Sequence, residues 1–311
     1  MLHVHLSILC GLFGKSRQAY YQRLNYSYVS HAHESIILDL VREYRRDMGR
    51  IGGRKLWYLL NQRLPGLVGR DELFDILDRH HLKVHRRNRH VRTTWSASWL
   101  HRFPNLVSDI ELTSINQVWV SDITYLDTQD EGFVYLHLVT DAYSKKILGW
   151  SLSPTLHADY TLSALQMALR GSTSSLQGLI HHSDRGCQYC SEKYVKLLQD
   201  NRIRISMTQG GDPRDNAIAE RVNGILKSEW FDNEVFHGLL DARTRVSHVI
   251  NVYNSRRPHL SLNYHTPSEV HKCHGKPKRV WKNYYPSSTS RSKINDVISE
   301  LTSCSQTSTS Y

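Results

Sequence analysis

Three strand-like segments in succession, followed by alternating helices and strands, constrain the fold of this chain more than any other feature. The segments VWVSDITYL, FVYLHLVTD and ILGWSLS, all between residues 118 and 153, are rich in β-branched and aromatic residues. Hydrophobic periodicity then predicts a helix at 158–169, a strand at 179–182, a helix at 191–201, a strand at 203–207 and a helix around residue 220. This order predicts an α/β fold in which a mixed five-stranded sheet is flanked by helices.

Three acidic residues stand where such a fold would bring them together. Asp122 lies in the first strand, Asp184 closes the strand LIHHSD, and Glu220 lies on the helix within DNAIAERVNGILKSEW. If the first strand lies beside the strand that ends at Asp184, the two aspartates are neighbours. Magnesium prefers oxygen ligands, and two ions about 3.5–4 Å apart can bind the attacking and leaving oxygens of a phosphodiester. The three residues are therefore candidate catalytic and metal-binding residues.

Four segments carry a family resemblance. In order along the chain, they are WVSDITYL, HHSDRGCQYCS, SMTQGGDPRDNAIAERVNGILKSEW and YNSRRPHLSLNYHTP. Together they resemble the catalytic half of retroviral-integrase-like (DDE) transposases, and most closely the second reading frame of the insertion-sequence-three family. Two further features match that family: 35 residues separate Asp184 from Glu220, and the basic Lys227 lies seven positions after the glutamate.

The resemblance implies an RNase H-like integrase core in which Asp122, Asp184 and Glu220 bind two Mg²⁺ ions, with Mn²⁺ able to substitute. It implies a transposase that cleaves DNA strands at the ends of an insertion sequence and joins them to target DNA. The implied partners are element-end and target DNA, further copies of the chain on that DNA, and an upstream reading-frame product as a fusion or a partner. Two alternatives remain, an RNase H-like nuclease without strand transfer and an inactive, DNA-binding transposon relic.

The distribution of charge agrees with a DNA-acting enzyme. The net charge is +11. Residues 1–110 hold 18 Lys and Arg against 9 Asp and Glu, residues 111–270 hold 15 against 18, and residues 271–311 hold 7 against 2. Basic arms attract phosphates while an acidic centre binds metal. The alternative is that the basic residues only make the surface soluble.

The candidate DNA-binding residues lie near the three carboxylates and in a basic stretch before the core. Lys227 and Asn216 share the face of their predicted helix with Glu220. The stretch KVHRRNRHVR, residues 83–92, either contacts phosphates or is a solvated tether. The predicted DNA-binding residues are Lys227, Arg221, Asn216, Arg185, Arg86, Arg87 and Arg89.

Four regions are predicted along the chain. They are a helical, helix-turn-helix-like DNA-binding module (1–82), a basic linker (83–112), the catalytic core (113–272), and a basic, then Ser/Thr-rich tail that we expect to be disordered at its end (273–311). Helices are predicted at 14–24, 33–44, 54–63 and 71–80.

Two motif segments have more than one interpretation. MGRIGGRKLWYLL resembles the family's small helical module, but Ile51–Lys55 replaces its Tyr-Gly-x-Arg-Arg-like core. A base-reading role and a plain helical bundle for protein contacts both remain open. RRPHLSLNYHTP (256–267) either packs under the active site or touches DNA, and packing is favoured.

Composition indicates where such a protein works. We find no stretch of about 20 apolar residues that would span a bilayer, and no signal-peptide pattern at the start. Five cysteines in 311 residues do not form a disulfide framework. The sequence therefore predicts a cytoplasmic bacterial protein without a membrane partner, associated with the nucleoid when bound to DNA.

Overall fold

One mixed five-stranded sheet forms the centre of the structure, a computed structural model that describes residues 5–85, 103–172, 175–209 and 216–273. The sheet order is β3-β2-β1-β4-β5, in which β1 and β3 pair antiparallel with β2, and β4 pairs parallel with both β1 and β5. This topology confirms the predicted sheet. The strands are β1 (Val118–Thr128), β2 (Gly132–Asp141), β3 (Ile147–Ser153), β4 (Ile180–Ser183) and β5 (Arg204–Met207).

Helices cover both faces of the sheet. Buried side chains of α5 and α6 pack with Trp119 and Val139, and those of α7 and α8 pack with Leu126 and Leu136. Helix α8 is absent from the sequence predictions, although apolar residues recur along it at helical spacing. The helices are α5 (Ala158–Gly171), α6 (Glu192–Asp200), α7 (Ala217–Glu229), α8 (Leu239–Ser255) and α9 (Pro267–Lys272).

Four helices precede the sheet, and the second is longer than the sequence predicts. It is one continuous helix of 31 residues, where two shorter helices are predicted. No Gly or Pro lies within it, so nothing in the intervening residues interrupts the backbone hydrogen bonds. The helices are α1 (Leu6–Leu12), α2 (Arg17–Asp47), α3 (Gly53–Arg63) and α4 (Arg70–Arg79).

The N-terminal helices and the sheet region share one hydrophobic core. Ile37 and Val41 of α2 and Leu56 of α3 belong to the same buried cluster as Trp230 and Val249. The described residues between 5 and 273 accordingly belong to one compact unit. Among the described residues, no helix has the length and apolar character needed to cross a membrane.

Candidate active site

The structure places Asp122 and Asp184 side by side. Strands β1 and β4 run parallel, and Val120 pairs with His182. Asp122 and Asp184 each follow that pair by two residues, so they occupy equivalent positions at the same edge of the sheet. Neighbouring strands are about 4.8 Å apart, which makes the two carboxylates neighbours although they are remote in the chain.

Helix α7 is bonded to β1 where β4 no longer pairs with it. The β1–β4 register covers only Val118 to Val120. At the next residue, Asn216 Nδ2 donates to the backbone oxygen of Ser121 at 3.1 Å. Further along α7, Asn223 Nδ2 donates to Asp122 Oδ2 at 2.7 Å. Glu220 lies between these two asparagines in the sequence. The hydrogen bonds from Asn216 and Asn223 to β1 therefore hold the helix that carries Glu220 close to the aspartates.

The electrostatics of the site oppose the ionisation of its carboxylates. Burial and the negative charge of Asp184, with a smaller effect of Glu220, raise the pKa of Asp122 to about 7, against the hydrogen bonds from Asn223 and the Ile123 N–H. Burial raises the pKa of Asp184, against a hydrogen bond from the Gly186 N–H. Like charges held together in a poorly solvated site favour protonation unless a cation is present.

The donor set fits a divalent cation. Carboxylate oxygens are the ligands that Mg²⁺ and similar ions prefer, and a cation would relieve the repulsion between Asp122 and Asp184. Glu220 is the exposed member of the three, in the first turn of α7. Among the described residues, no three His, Cys, Asp or Glu side chains converge closely enough to form a complete metal site. The exposed Glu220 side chain must therefore turn toward the aspartates for all three to bind one metal centre.

Comparisons with known proteins cover most of the chain. Two models described as "Integrase core domain" match residues 113–213 and 201–267. The chain is 33% identical over 264 residues to the insertion element IS600 uncharacterized 31 kDa protein of Shigella sonnei, covering 84% of this chain and 96% of that protein. This chain belongs to the insertion-sequence-three family of DDE transposases.

A further relative of this transposase and a solved structure that resembles it were also found. The transposase InsF for insertion sequence IS3A of Escherichia coli K12 is 40% identical over 155 residues, which are 50% of this chain and 53% of that protein. Among solved structures, the HTLV-2 integrase catalytic core domain in complex with magnesium aligns at 20% identity and a TM-score of 0.39. That alignment covers 51% of this chain and 97% of that chain. The integrase core is a metal-dependent fold.

The predicted DNA-binding residues of the transposase occupy different environments. Arg221 is exposed, and Lys227 is half-buried with Nζ 3.9 Å from the centroid of the Tyr125 ring. Arg185 is half-buried and donates to the Thr208 backbone oxygen. Asn216 is 6% exposed and donates to β1. The residues Arg86, Arg87 and Arg89 lie outside the described residues.

Buried side chains beneath the aspartates are absent from the sequence predictions. His181 Nε2 lies 2.8 Å from Ser121 Oγ and 2.9 Å from the Tyr194 hydroxyl. Tyr189 is 2% exposed, and its hydroxyl has no hydrogen-bond partner among the described residues. Burial and the charges of Asp184 and Asp122 raise its pKa. Its position in HHSDRGCQYCS, five residues after Asp184, was the available signal.

Helix α4 of the N-terminal module presents an acidic surface. Its buried residues face α2 and α3, and both of its ends carry an exposed arginine. Carboxylates repel DNA phosphates, which disfavours α4 as the helix that enters a DNA groove. The exposed acidic residues of α4 are Asp71, Glu72, Asp75 and Asp78.

Proposed function

We propose that this transposase cleaves DNA strands at the ends of its insertion sequence and joins the freed 3′ ends to target DNA. Asp122, Asp184 and Glu220 bind the metal. The observation that carries the proposal is the pair of neighbouring aspartates, Asp122 within β1 and Asp184 just after the parallel strand β4, with Asn223 linking Asp122 to the Glu220 helix.

We propose that the metal is Mg²⁺, as two ions, with Mn²⁺ as a substitute. Bound there, the ions would supply charge stabilisation for the attacking and leaving oxygens. The chain contributes the orientation of its carboxylates. Asn223 and the Ile123 N–H hold Asp122, and the Gly186 N–H holds Asp184 Oδ1 at 3.0 Å.

The joining step exchanges one phosphodiester for another. The 3′-OH of the element end attacks a target phosphorus, a new P–O bond forms, and the target 3′ oxygen leaves. No covalent link between protein and DNA is needed, so no Ser or Tyr nucleophile is required. Exposed Arg221, the Lys227 ammonium and Arg185 lie on the elements that carry Glu220 and Asp184, and we propose that they contact DNA phosphates beside the reacting bond.

A strand-transfer assay with a pre-cleaved, labelled end tests the proposal against its alternatives. The substrate is a duplex taken from the DNA that flanks the coding region, mixed with plasmid target and Mg²⁺. Joined products support transposition. Hydrolysis of the DNA without joined products favours the nuclease alternative. DNA binding without either reaction, at any Mg²⁺ or Mn²⁺ concentration, favours the inactive relic.

We further propose that the upstream reading-frame product binds a helical arm formed by residues 5–33. Ten large hydrophobic side chains of this arm are exposed, among them Leu12 at 76%, Phe13 at 79% and Tyr26 at 75%. Exposed apolar surface on this scale marks a protein-interaction site. We place the resulting assembly in the cytoplasm, on nucleoid DNA.

Light scattering of the chain with and without the co-expressed upstream product tests the arm. We expect a complex that Leu12→Asp weakens. Dimers formed without the upstream product, and lost in the same variant, would instead assign the arm to a second copy of this chain, as expected of a homo-oligomer on DNA. An unchanged complex in Leu12→Asp contradicts the role of the arm.

A further inference from the structure

Three charged side chains are buried together where α3, the end of α7 and the segment after α8 meet. Lys55 Nζ lies 2.8 Å from Glu229 Oε1, and Arg257 Nη2 lies 2.5 Å from the same oxygen. Arg257 Nε also donates to Glu229 Oε2 at 2.7 Å, so the guanidinium binds the carboxylate through two hydrogen bonds. The Arg257 side chain is 2% exposed, and those of Lys55 and Glu229 are 13% and 14% exposed.

Glu229 compensates two cations in a site that water scarcely reaches. Burial and the positive charge of Arg257 lower the pKa of Lys55 to about 8, although Glu229 opposes this shift. Burial acts to raise the pKa of Glu229, but the hydrogen bonds and charges of Arg257 and Lys55 outweigh it and hold that pKa below its ordinary value. Removing Glu229 would leave two buried cations unpaired, and removing either cation would leave Glu229 with one partner instead of two, so the three contacts together favour a single geometry.

The same end of α7 makes further contacts with the N-terminal helices. Trp230 Nε1 donates to the backbone oxygen of Asp47 at 2.6 Å, and the Asp47 carboxylate pairs with Arg256. Tyr58 of α3 stacks on Tyr264, with ring centroids 4.7 Å apart. The C-terminal end of α7 and the segment after α8 therefore join the N-terminal module to the core.

Helix α7 connects this buried ion cluster to the proposed catalytic carboxylates. Glu220 lies in its first turn, and Glu229 is its last residue. Nine residues of α-helix span about 13.5 Å. Near Glu220 the helix is bonded to β1 through Asn216 and Asn223. A displacement at Glu229 would strain those two bonds, and their loosening would let the first turn of the helix, which carries Glu220, move relative to the aspartates.

We propose that Lys55 and Arg257 are positioning residues of the transposition reaction, because by holding Glu229 they fix helix α7 and the place of Glu220. The N-terminal module then acts on catalysis through Lys55, which sits too deeply to read bases. The proposal rests on the catalytic role proposed above for Glu220. It gives a function to two motif segments, MGRIGGRKLWYLL and RRPHLSLNYHTP, whose basic residues meet at one carboxylate.

Three variants of the full-length chain test this role. Lys55→Met removes the charge and keeps the length of the side chain, Lys55→Arg restores the charge, and Arg54→Ala removes the exposed cation next to it as a matched control. Strand-transfer kcat, KM for the element end, and Mn²⁺ affinity by electron paramagnetic resonance are measured for each.

We expect Lys55→Met to lower kcat by about tenfold or more, because a misplaced catalytic group slows the reaction steeply. Its Mn²⁺ affinity falls with it, while its KM stays within about twofold of wild type. Lys55→Arg keeps kcat within about threefold, since Arg can also bind the carboxylate. Arg54→Ala leaves kcat and Mn²⁺ affinity at their wild-type values.

A folded Lys55→Met protein, judged by circular dichroism, with wild-type kcat and Mn²⁺ affinity would overturn the proposal. So would a raised KM at unchanged kcat, which marks a lost DNA contact. If Lys55→Met does not fold, Glu229→Gln carries the same test, because it keeps the shape of the carboxylate. A wild-type chain that neither joins strands nor binds Mn²⁺ refutes the proposed function itself, whereas wild-type joining with an insensitive Lys55→Met refutes only the positioning role.

Discussion

The two ends of helix α7 hold glutamates in opposite electrostatic settings. At the first turn, Glu220 lies near the aspartate pair, and the partial desolvation of its largely exposed carboxyl raises its pKa. At the last turn, Glu229 is more deeply buried, yet its pKa is lowered because Arg257 and Lys55 compensate its charge. The N-terminal end of α7 lies among carboxylates that have no cationic partner among the described residues to balance them, whereas the carboxylate at its C-terminal end is paired with two protein cations. The charge of Glu229 is balanced by protein side chains, whereas the charge of Glu220 and the aspartates needs a bound cation. In our proposal the first group holds the second in place through α7.

The largest expected effect is the loss of strand joining when the charge of Glu220, at the N-terminal end of α7, is removed. Glu220→Gln should lower strand joining by about 10³-fold or more, because it removes a charged ligand for the metal that stabilises the transition state. Folding and DNA binding should be retained. Joined product is measured by gel electrophoresis with a labelled end, and Glu192→Gln, an exposed first-turn glutamate of α6, is the matched control. Near-normal joining by Glu220→Gln would remove Glu220 from the site.

The second prediction is that removing a carboxylate charge changes the free energy of unfolding in opposite directions at the two ends of α7. Glu229→Gln should lower the free energy of unfolding by about 3 kcal/mol, because it leaves buried cations unpaired. Asp122→Asn should raise it by about 1 kcal/mol in metal-free protein at pH 8, because a repulsive charge is lost. Urea unfolding in the presence of a chelator measures both values. Two changes of the same sign would break the comparison.

Metal should stabilise the fold only through the site at the N-terminal end of α7. Mg²⁺ at about 100 times its Kd should stabilise the wild-type fold by about 2.7 kcal/mol. Thermal melting with Mg²⁺ and with a chelator measures the shift, which Glu192→Gln should keep and Glu220→Gln should reduce. An unchanged Tm in the wild type would count against a metal site.

The last prediction concerns pH. The pKa of Asp122, about 7, lies above its ordinary value of 3.8, so the metal-free folded state keeps a proton that the unfolded state releases. Its stability should therefore fall as pH rises from about 4 to about 7. Metal must displace this proton, so affinity should rise about tenfold per pH unit below pH 7 and level off above it. Mn²⁺ titrations between pH 6 and 8 test this, and a flat profile would contradict it.

Local pattern predicted the core more accurately than the N-terminal region. The strands β1 to β5 and helices α5 to α7 agree with the predictions because alternation and helical spacing are read within a few residues. The predicted break inside α2 is wrong, since the residues between its two apolar stretches contain no Gly or Pro to end a helix. Helix α8 is the opposite case, because its apolar residues recur at regular helical spacing and yet it is missing from the predictions.

Motif and order predicted three candidate carboxylates, and the structure places two of them, Asp122 and Asp184, as neighbours on adjacent strands. Motif and order were not enough to find that Asn223 holds Asp122, or that Lys55 meets Glu229 from 174 residues away. In the linear chain Lys55 and Arg257 are two more cations among 40 Lys and Arg residues. Their burial follows from how α3, α7 and the segment after α8 pack, and contacts between such remote elements leave no periodic trace that a local pattern could carry.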